Sequence, residues 1–237
     1  MGKAANGTRG NPQFSHLCSN ALHHPLFHVK PLQESSLAPV LQSVPMKLLV
    51  FAGSTRQQSF NRRLARVAAQ AGRELGAEAT LLELSDFDIP LYNADLEARG
   101  TPPDVLRLKE IMDAHPAWVV CSPEYNGSYT ALLKNTIDWV SSPIKGHPVW
   151  GDDIRAFRGK VVGMLSASNG RLGGLRAQSH LAPLLVNLQC WLAPRSHAVS
   201  AAASAFDEQG ALAHQHDRDG VRAVVEQVLW AAQRLHG

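Results

Sequence analysis

From Met46 onward, short continuous apolar runs alternate with longer segments whose apolar residues recur every three or four positions. No other feature constrains the fold as strongly. KLLVFAG (47–53), AWVVCS (117–122) and KVVGMLSAS (160–168) read as strands buried on both faces. ATLLEL (79–84) and APRSHAVS (193–200) bring the set to five. Helical segments are FNRRLARVAAQAGREL (60–75), TPPDVLRLKEIMDAH (101–115), SYTALLKNTIDWVSS (128–142), GLRAQSHLAPLLVNLQCWL (174–192) and RDGVRAVVEQVLWAAQRLH (218–236). In the first, Leu64, Val67, Ala68, Ala71 and Leu75 make one apolar stripe, and basic residues fill the other face. Thr101 is the expected cap of the second, with proline in its first turn. Pro183 is expected to kink or shorten the fourth.

Strands separated by helices need right-handed crossovers, and these give a parallel sheet covered on both faces. The expected architecture for residues 46–237 is α/β: a flavodoxin-like, doubly wound, five-stranded parallel sheet with helices on both sides. The chain has 237 residues, 45% of them hydrophobic, which suffices for a core without disulfides or metals. No run of eighteen apolar residues exists, so no membrane span is expected. The net charge is only +3, and Lys and Arg are scattered without a basic stripe, which argues against nucleic acid as a partner. Cys18, Cys121 and Cys190 are odd in number and far apart, which suits a reducing, cytoplasmic compartment.

Residues 1–45 differ in kind. They hold four of the eleven His, a single acidic residue, Glu34, and no sustained periodicity. ALHHPLFHV is broken by His and Pro, so it lacks the continuous apolar core of a secretory signal. Two readings stand side by side: a disordered extension, or a mis-assigned start with translation beginning at Met46.

Three loops follow the first, third and fourth strands, and each carries ligand-type residues. GSTRQQSFN (53–61) places Gly53, Ser54, Thr55, Arg56, Ser59 and Asn61 at a helix N-terminus, where free N–H groups and the dipole favour an anion. The hydroxyls and Arg56 suit phosphate oxygens, although Ser59 also reads as a plain helix cap. SPEYNGS (122–128) combines Pro123, Glu124, Tyr125, Asn126 and Gly127, a path able to border a flat heterocycle; the same residues also make ordinary turns. SASNGRLGG (166–174) has three glycines that would let backbone approach a ligand closely, or simply connect strand to helix. Strand ends at a switch point are where such sheets bind ligands. Phosphate, planar ring and close backbone together describe a mononucleotide site.

GS-x-R-x-x-S-x-N, then PLYNADLE (90–97), SPEYNGSYTALLKNTIDWVS (122–141) and the Gly-Gly-Leu-Arg helix start resemble the NADPH-dependent FMN reductase family, nearest its bacterial quinone, chromate and azo reductases. The resemblance spans roughly 46–200. It implies FMN as cofactor and NADPH or NADH as electron donor, with hydride passing to flavin N5 and then electrons to quinone, azo, chromate or similar acceptors in ping-pong order. It implies a binding set of Gly53, Ser54, Arg56, Ser59, Phe60 and Asn61 around the phosphate, Pro123, Glu124, Tyr125 and Asn126 along the ring, and Ser168 and Asn169 on the third side. It also implies a homodimer or a dimer of dimers with the flavin at the subunit boundary. No catalytic side chain is expected, because the flavin carries the chemistry; Glu124 is a weaker candidate as general acid than as a helix cap. Gly127 stands where many relatives have a bulky residue. The stretch 141–160 looks longer than the family loop, so Trp150 or His147 is a candidate cover for the flavin, beside a plain surface loop.

Other polar residues have quieter readings. Cys121, Cys190, His180 and His197 read as structural. His214 and His216 with Asp217 and Asp219 have metal-ligand chemistry, but they fall in an apparent polar linker, so no metal is expected. Two alternatives to the reductase are a flavodoxin-like electron carrier without NAD(P)H activity and a flavin-binding sensor. Arg56 favours the reductase, since flavodoxin phosphate loops are usually Thr- and Gly-rich without Arg. The absence of a visible regulatory domain counts against the sensor.

Overall fold

The structure, a computed structural model, describes residues 44–151 and 154–237. The expectations for residues 1–43, and for Cys18, lie outside the described residues. Five parallel strands form one sheet: β1 (Lys47–Ala52), β2 (Glu78–Leu82), β3 (Ala117–Cys121), β4 (Val161–Ala167) and β5 (Trp191–Val199), in the order β2-β1-β3-β4-β5. The order reverses between β1 and β3, so their carboxyl ends open a crevice at the switch point. The helices are α1 (Phe60–Glu74), α2 (Ala94–Glu97), α3 (Pro103–Asp113), α4 (Ala131–Ser141), α5 (Leu175–Asn187), α6 (Ala202–Ala205) and α7 (Gln215–His236). The flavodoxin-like expectation holds.

The apolar runs split by the two-residue period of a strand. Leu48, Val50, Val119 and Leu165 join one core with α1 and α7, while Leu49, Phe51, Trp118 and Val162 join a second with α3, α4 and α5. On the first side helices sit close to the sheet because small residues allow it. A Cβ at Gly72 would meet Leu48 Cδ2 at 2.6 Å, and one at Gly163 would meet Val228 Cγ2 at 2.7 Å. On the second side large rings fill the space. Trp118 lies edge-on to Phe51 and Phe157, at 6.4 and 5.5 Å between centroids, and its Nε1 donates to the His115 carbonyl at 2.7 Å.

Two of the quoted sequence blocks turn out to hold each other. Trp139 Nε1 and Asn135 Nδ2 on α4 both donate to the Pro90 carbonyl, at 2.8 and 2.9 Å, and the Tyr92 N–H donates back to Asn135 Oδ1 at 2.7 Å. The PLYN segment is thereby clasped to α4 rather than to a ligand.

Several local expectations are corrected. The residue at the cap position of α3 is Pro102, not Thr101, and it makes no side-chain cap bond. Pro183 lies inside α5, which runs on past it but stops at Asn187, short of the expected end at 192. β5 begins at Trp191, taking two residues from the expected helix. α7 begins at Gln215, so His216, Asp217 and Asp219 lie in its first turns, not in a linker. Trp150 is buried in the aromatic layer, and His147 Nδ1 accepts from the Trp150 N–H at 3.1 Å, so this loop is folded on itself and neither residue covers the crevice.

Candidate active site

The loops after β1, β3 and β4 converge on a cleft of about 350 Å³. Its walls are Ser54, Arg56, Ser59, Phe60 and Asn61 from the first loop, Pro123, Glu124 and Tyr125 from the second, and Ala167, Ser168 and Asn169 from the third. Ten of the twelve residues expected to bind a cofactor are therefore brought together. A second concavity, about 390 Å³, lies between α1 and α7 with no strand residue in its lining. Size alone does not choose between them; the switch point does.

The first loop is held from behind. The Gly53 N–H donates to the Cys121 carbonyl at 3.0 Å, and the Thr130 hydroxyl donates to the Gly53 carbonyl at 2.7 Å. Thr130 Oγ1 also accepts from the Leu133 N–H at 3.2 Å, capping α4. Gly53 thus anchors the loop and does not line the cleft. Thr130 was overlooked in the sequence because the helix was expected to start at Ser128; a Thr immediately ahead of ALLKN is itself a start signal. Ser59 caps α1 by accepting from the Arg62 N–H, and no acidic residue occupies the first turn of α1. The helix terminus therefore keeps its positive end uncompensated toward the cleft. Arg62 is paired with Glu83 at 2.8 Å, whereas Arg56 is exposed over the Phe60 ring, and no carboxylate of the described residues pairs with it. Asn61 lines the cleft, but its amide grips the Ala167 peptide at both ends, at 2.8 and 3.0 Å, binding α1 to the end of β4.

In the second loop Tyr125 and Ser128 exchange backbone hydrogen bonds at 2.9 and 3.0 Å around Asn126 and Gly127. Both turn residues have positive φ, 51° and 79°, the signature of a two-residue type I′ hairpin. Asn126 is thus an exposed turn residue and does not line the cleft. Tyr125 projects, more than half exposed, beside the opening. Glu124 is nearly buried; Arg176 Nε donates to one of its oxygens at 2.7 Å and the Arg176 N–H to the other at 3.2 Å. The carboxylate thereby caps α5, the helix after β4, and joins the second loop to it. A carboxylate held in this way is a strut between the second loop and α5, in keeping with the capping reading.

In the third loop the Ser168 N–H donates to the Val199 carbonyl at 3.0 Å, and Asn169 Oδ1 accepts from the Ala203 N–H at 2.8 Å. The glycines here do something other than expected. A Cβ at Gly173 would strike the Ala198 and Val199 backbone at 2.8 Å, and one at Gly174 would strike Ser166 at 2.8 Å. Both have positive φ, so they let the loop close on its own strands instead of on a ligand. Burial pushes the Cys121 thiol up, and the Cys190 thiol up to about 12, so neither offers a thiolate to the cleft.

Residues 46–205 match the family described as NADPH-dependent FMN reductase. The chain belongs to this family. An NAD(P)H-dependent FMN reductase of Pseudomonas aeruginosa is 36% identical over 194 residues, covering 81% of this chain and 98% of that protein. An NAD(P)H:quinone oxidoreductase of Solanum tuberosum is 32% identical over 198 residues, covering 81% and 95%. Among solved structures, the flavoenzyme NAD(P)H:(acceptor) oxidoreductase FerB from Paracoccus denitrificans superposes with a TM-score of 0.66 at 26% identity, covering 80% of this chain and 98% of that one. Membership in an FMN reductase family makes FMN the cofactor against which the cleft is judged, and the donor set fits it. A helix N-terminus without acidic residues, two serine hydroxyls and one unpaired guanidinium suit a phosphate dianion, while the single carboxylate of the cleft is neutralised by Arg176.

Proposed function

We propose that this chain is an NAD(P)H-dependent FMN oxidoreductase that delivers electrons to quinones and to related small acceptors such as azo compounds and chromate, with donor and acceptor using one opening in turn. The observation that carries this reading is the convergence of the β1, β3 and β4 loops on one cleft at the switch point. Ser54, Ser59 and Arg56 would hold the FMN phosphate, and Pro123, Glu124 and Tyr125 would border its ring, with Ser168 and Asn169 opposite. When bound, FMN supplies hydride acceptance at N5 and onward electron transfer. The side chains position and screen: Arg56 offsets phosphate charge, Arg176 keeps the Glu124 carboxylate from repelling it, and the hairpin at Asn126 and Gly127 keeps Tyr125 at the edge of the opening. No side chain need donate a proton to explain hydride transfer.

Homodimerisation, or a dimer of dimers, fits the exposed Tyr125, Leu172 and Leu175 near this opening, which a second copy would cover. The buried thiols suit a reducing cytoplasm. No described helix is long and apolar enough to cross a membrane.

The test is an anaerobic visible spectrum of the FMN-reconstituted full chain before and after NADPH or NADH, followed by addition of a quinone. Bleaching by the nicotinamide and recovery with the quinone are expected. An FMN spectrum that no nicotinamide bleaches would instead support the electron carrier, and failure to retain FMN would end the flavin reading. Arg56→Ala should weaken FMN binding by at least about tenfold, the scale of one lost charge-assisted hydrogen bond, as measured by fluorescence titration.

A further inference from the structure

Apart from the cleft, the described residues contain a group of three metal-ligating side chains: His197, His216 and Asp217. The ligand-type atoms of the three lie within 4.8 Å of one another. They come from two elements, the edge strand β5 and the first turn of α7. Of the residues His214, His216, Asp217 and Asp219 that the sequence groups, the fold leaves out His214 and Asp219, Asp219 accepting from Gln215 at 2.7 Å, and brings in His197. His197 Nε2 and Asp217 Oδ1 are within hydrogen-bond distance at 2.8 Å, both side chains being 13% exposed. The His216 ring meets the His197 ring edge-on at 5.4 Å and is exposed. The other side of the His197 ring rests on Gly220, where a Cβ would meet Nδ1 at 2.3 Å. Glycine inside a helix costs roughly 1 kcal/mol relative to alanine, and here it creates the seat for this imidazole.

We propose that His197, His216 and Asp217 form a binding site for a divalent late transition ion, with zinc the best match. Two imidazoles and one carboxylate are a borderline donor set that selects Zn²⁺, Ni²⁺ or Cu²⁺ over Mg²⁺ or Ca²⁺. Three protein ligands leave a further coordination position to water. Neighbouring donors of a tetrahedral zinc with bonds of about 2.0–2.1 Å stand about 3.4 Å apart. His197 and Asp217 must open slightly and His216 must close, and the exposed His216 is free to turn. The ion takes the place of the hydrogen bond between His197 Nε2 and Asp217 Oδ1, with His197 bound as its Nδ1–H tautomer. The site lies two residues before Val199, whose carbonyl holds Ser168 of the cleft, so it sits at the same end of the sheet as the cleft but on its edge. It is independent of the flavin reading.

The probe is Zn²⁺ alone, added to the full-length FMN-loaded protein in competition with a chromophoric chelator. His216→Ala, an exposed position that does not threaten folding, should weaken the tightest zinc event at least about tenfold, the lower end of what even an outer-shell change costs. Asp217→Asn should do the same, and His180→Ala should leave it unchanged. NADPH bleaching should be equal in wild type and in His216→Ala. The histidines of residues 1–45 are common to every variant and cancel in the comparison. If His216→Ala binds zinc with the same number and affinity as wild type, the three residues are only a strut between β5 and α7, and the proposal falls.

Discussion

The two faces of the sheet solve the same packing problem with opposite materials. Toward α1 and α7 the core holds Ala65, Ala68 and Ala69, with Gly72 against Leu48 and Gly163 against Val224 and Val228. Toward α3, α4 and α5 they are Trp118, Phe51, Phe157 and Trp150, with Leu108, Leu133 and Leu181 between them. The first face gains its contacts by close approach of backbones, the second by ring volume. The difference bears on the cleft. α1 carries the phosphate-type loop, and the Asn61 grip on Ala167 fixes its N-terminus to the end of β4, so a helix standing off the sheet would take the loop with it. The aromatic face holds the same loop from behind, through Thr130 at the cap of α4, and it also carries the polar clasps at Pro90 and Lys109.

The largest expected effect tests the aromatic face. Trp118→Ala removes a fully buried ring between Phe51 and Phe157 and leaves the His115 carbonyl without its donor. A loss of about 3–5 kcal/mol is expected, read as a lower urea midpoint with the flavin-binding stoichiometry of the surviving folded fraction unchanged. Equal loss of FMN binding in that folded fraction would show that the two faces are not separable. The next effect is the converse. Gly163→Val places methyl groups where Val224 and Val228 already stand, at 2.8 and 2.7 Å from the new Cβ. Overpacking of this kind costs about 1–3 kcal/mol. Here α7 must move, so the melting temperature should fall, and it should be partly restored by Val228→Ala in the same chain.

The same contrast explains what was legible in the sequence. Apolar runs without polar alternation announce strands buried on both sides, because every second residue faces a different helix layer. The converging loops were legible as a set, since three loops with ligand-type residues follow strands whose carboxyl ends lie at one side of the sheet. Glycine was ambiguous. Gly127 serves a turn, Gly173 and Gly174 serve close contact with their own strands, and Gly220 serves an imidazole, all with the same letter. Long-range pairings left no local trace: Arg176 with Glu124 and Thr130 with Gly53 join positions that only the crossovers bring together, and His197 with Asp217 joins β5 to the helix after it.

The smallest predicted effect concerns a cation inside the aromatic face. Lys109 is buried; its Nζ donates to the carbonyls of Val140 and Ser142, at 2.8 and 2.6 Å, and lies 5.8 Å from the Trp150 ring. Burial lowers its pKa from 10.5 to about 8, with Glu97 opposing part of that shift. A base with a depressed folded-state pKa binds its proton more weakly when folded than when unfolded. Between about pH 8 and pH 10.5 the unfolded chain therefore carries more of this proton, and stability rises with pH through this group. Below that window the penalty is constant, because both states are protonated. Lys109→Met removes the titration while keeping much of the stem. Urea unfolding at a series of pH values should show wild type gaining on Lys109→Met by on the order of 1 kcal/mol between pH 8 and pH 9, whatever the offset between the two at neutral pH. Parallel curves across that window would mean that the two carbonyls and the Trp150 ring solvate the ammonium as well as water does. The aromatic face would then be polar enough at its rim to hold a charge without penalty, and the contrast with the α1–α7 face would narrow to one of side-chain size.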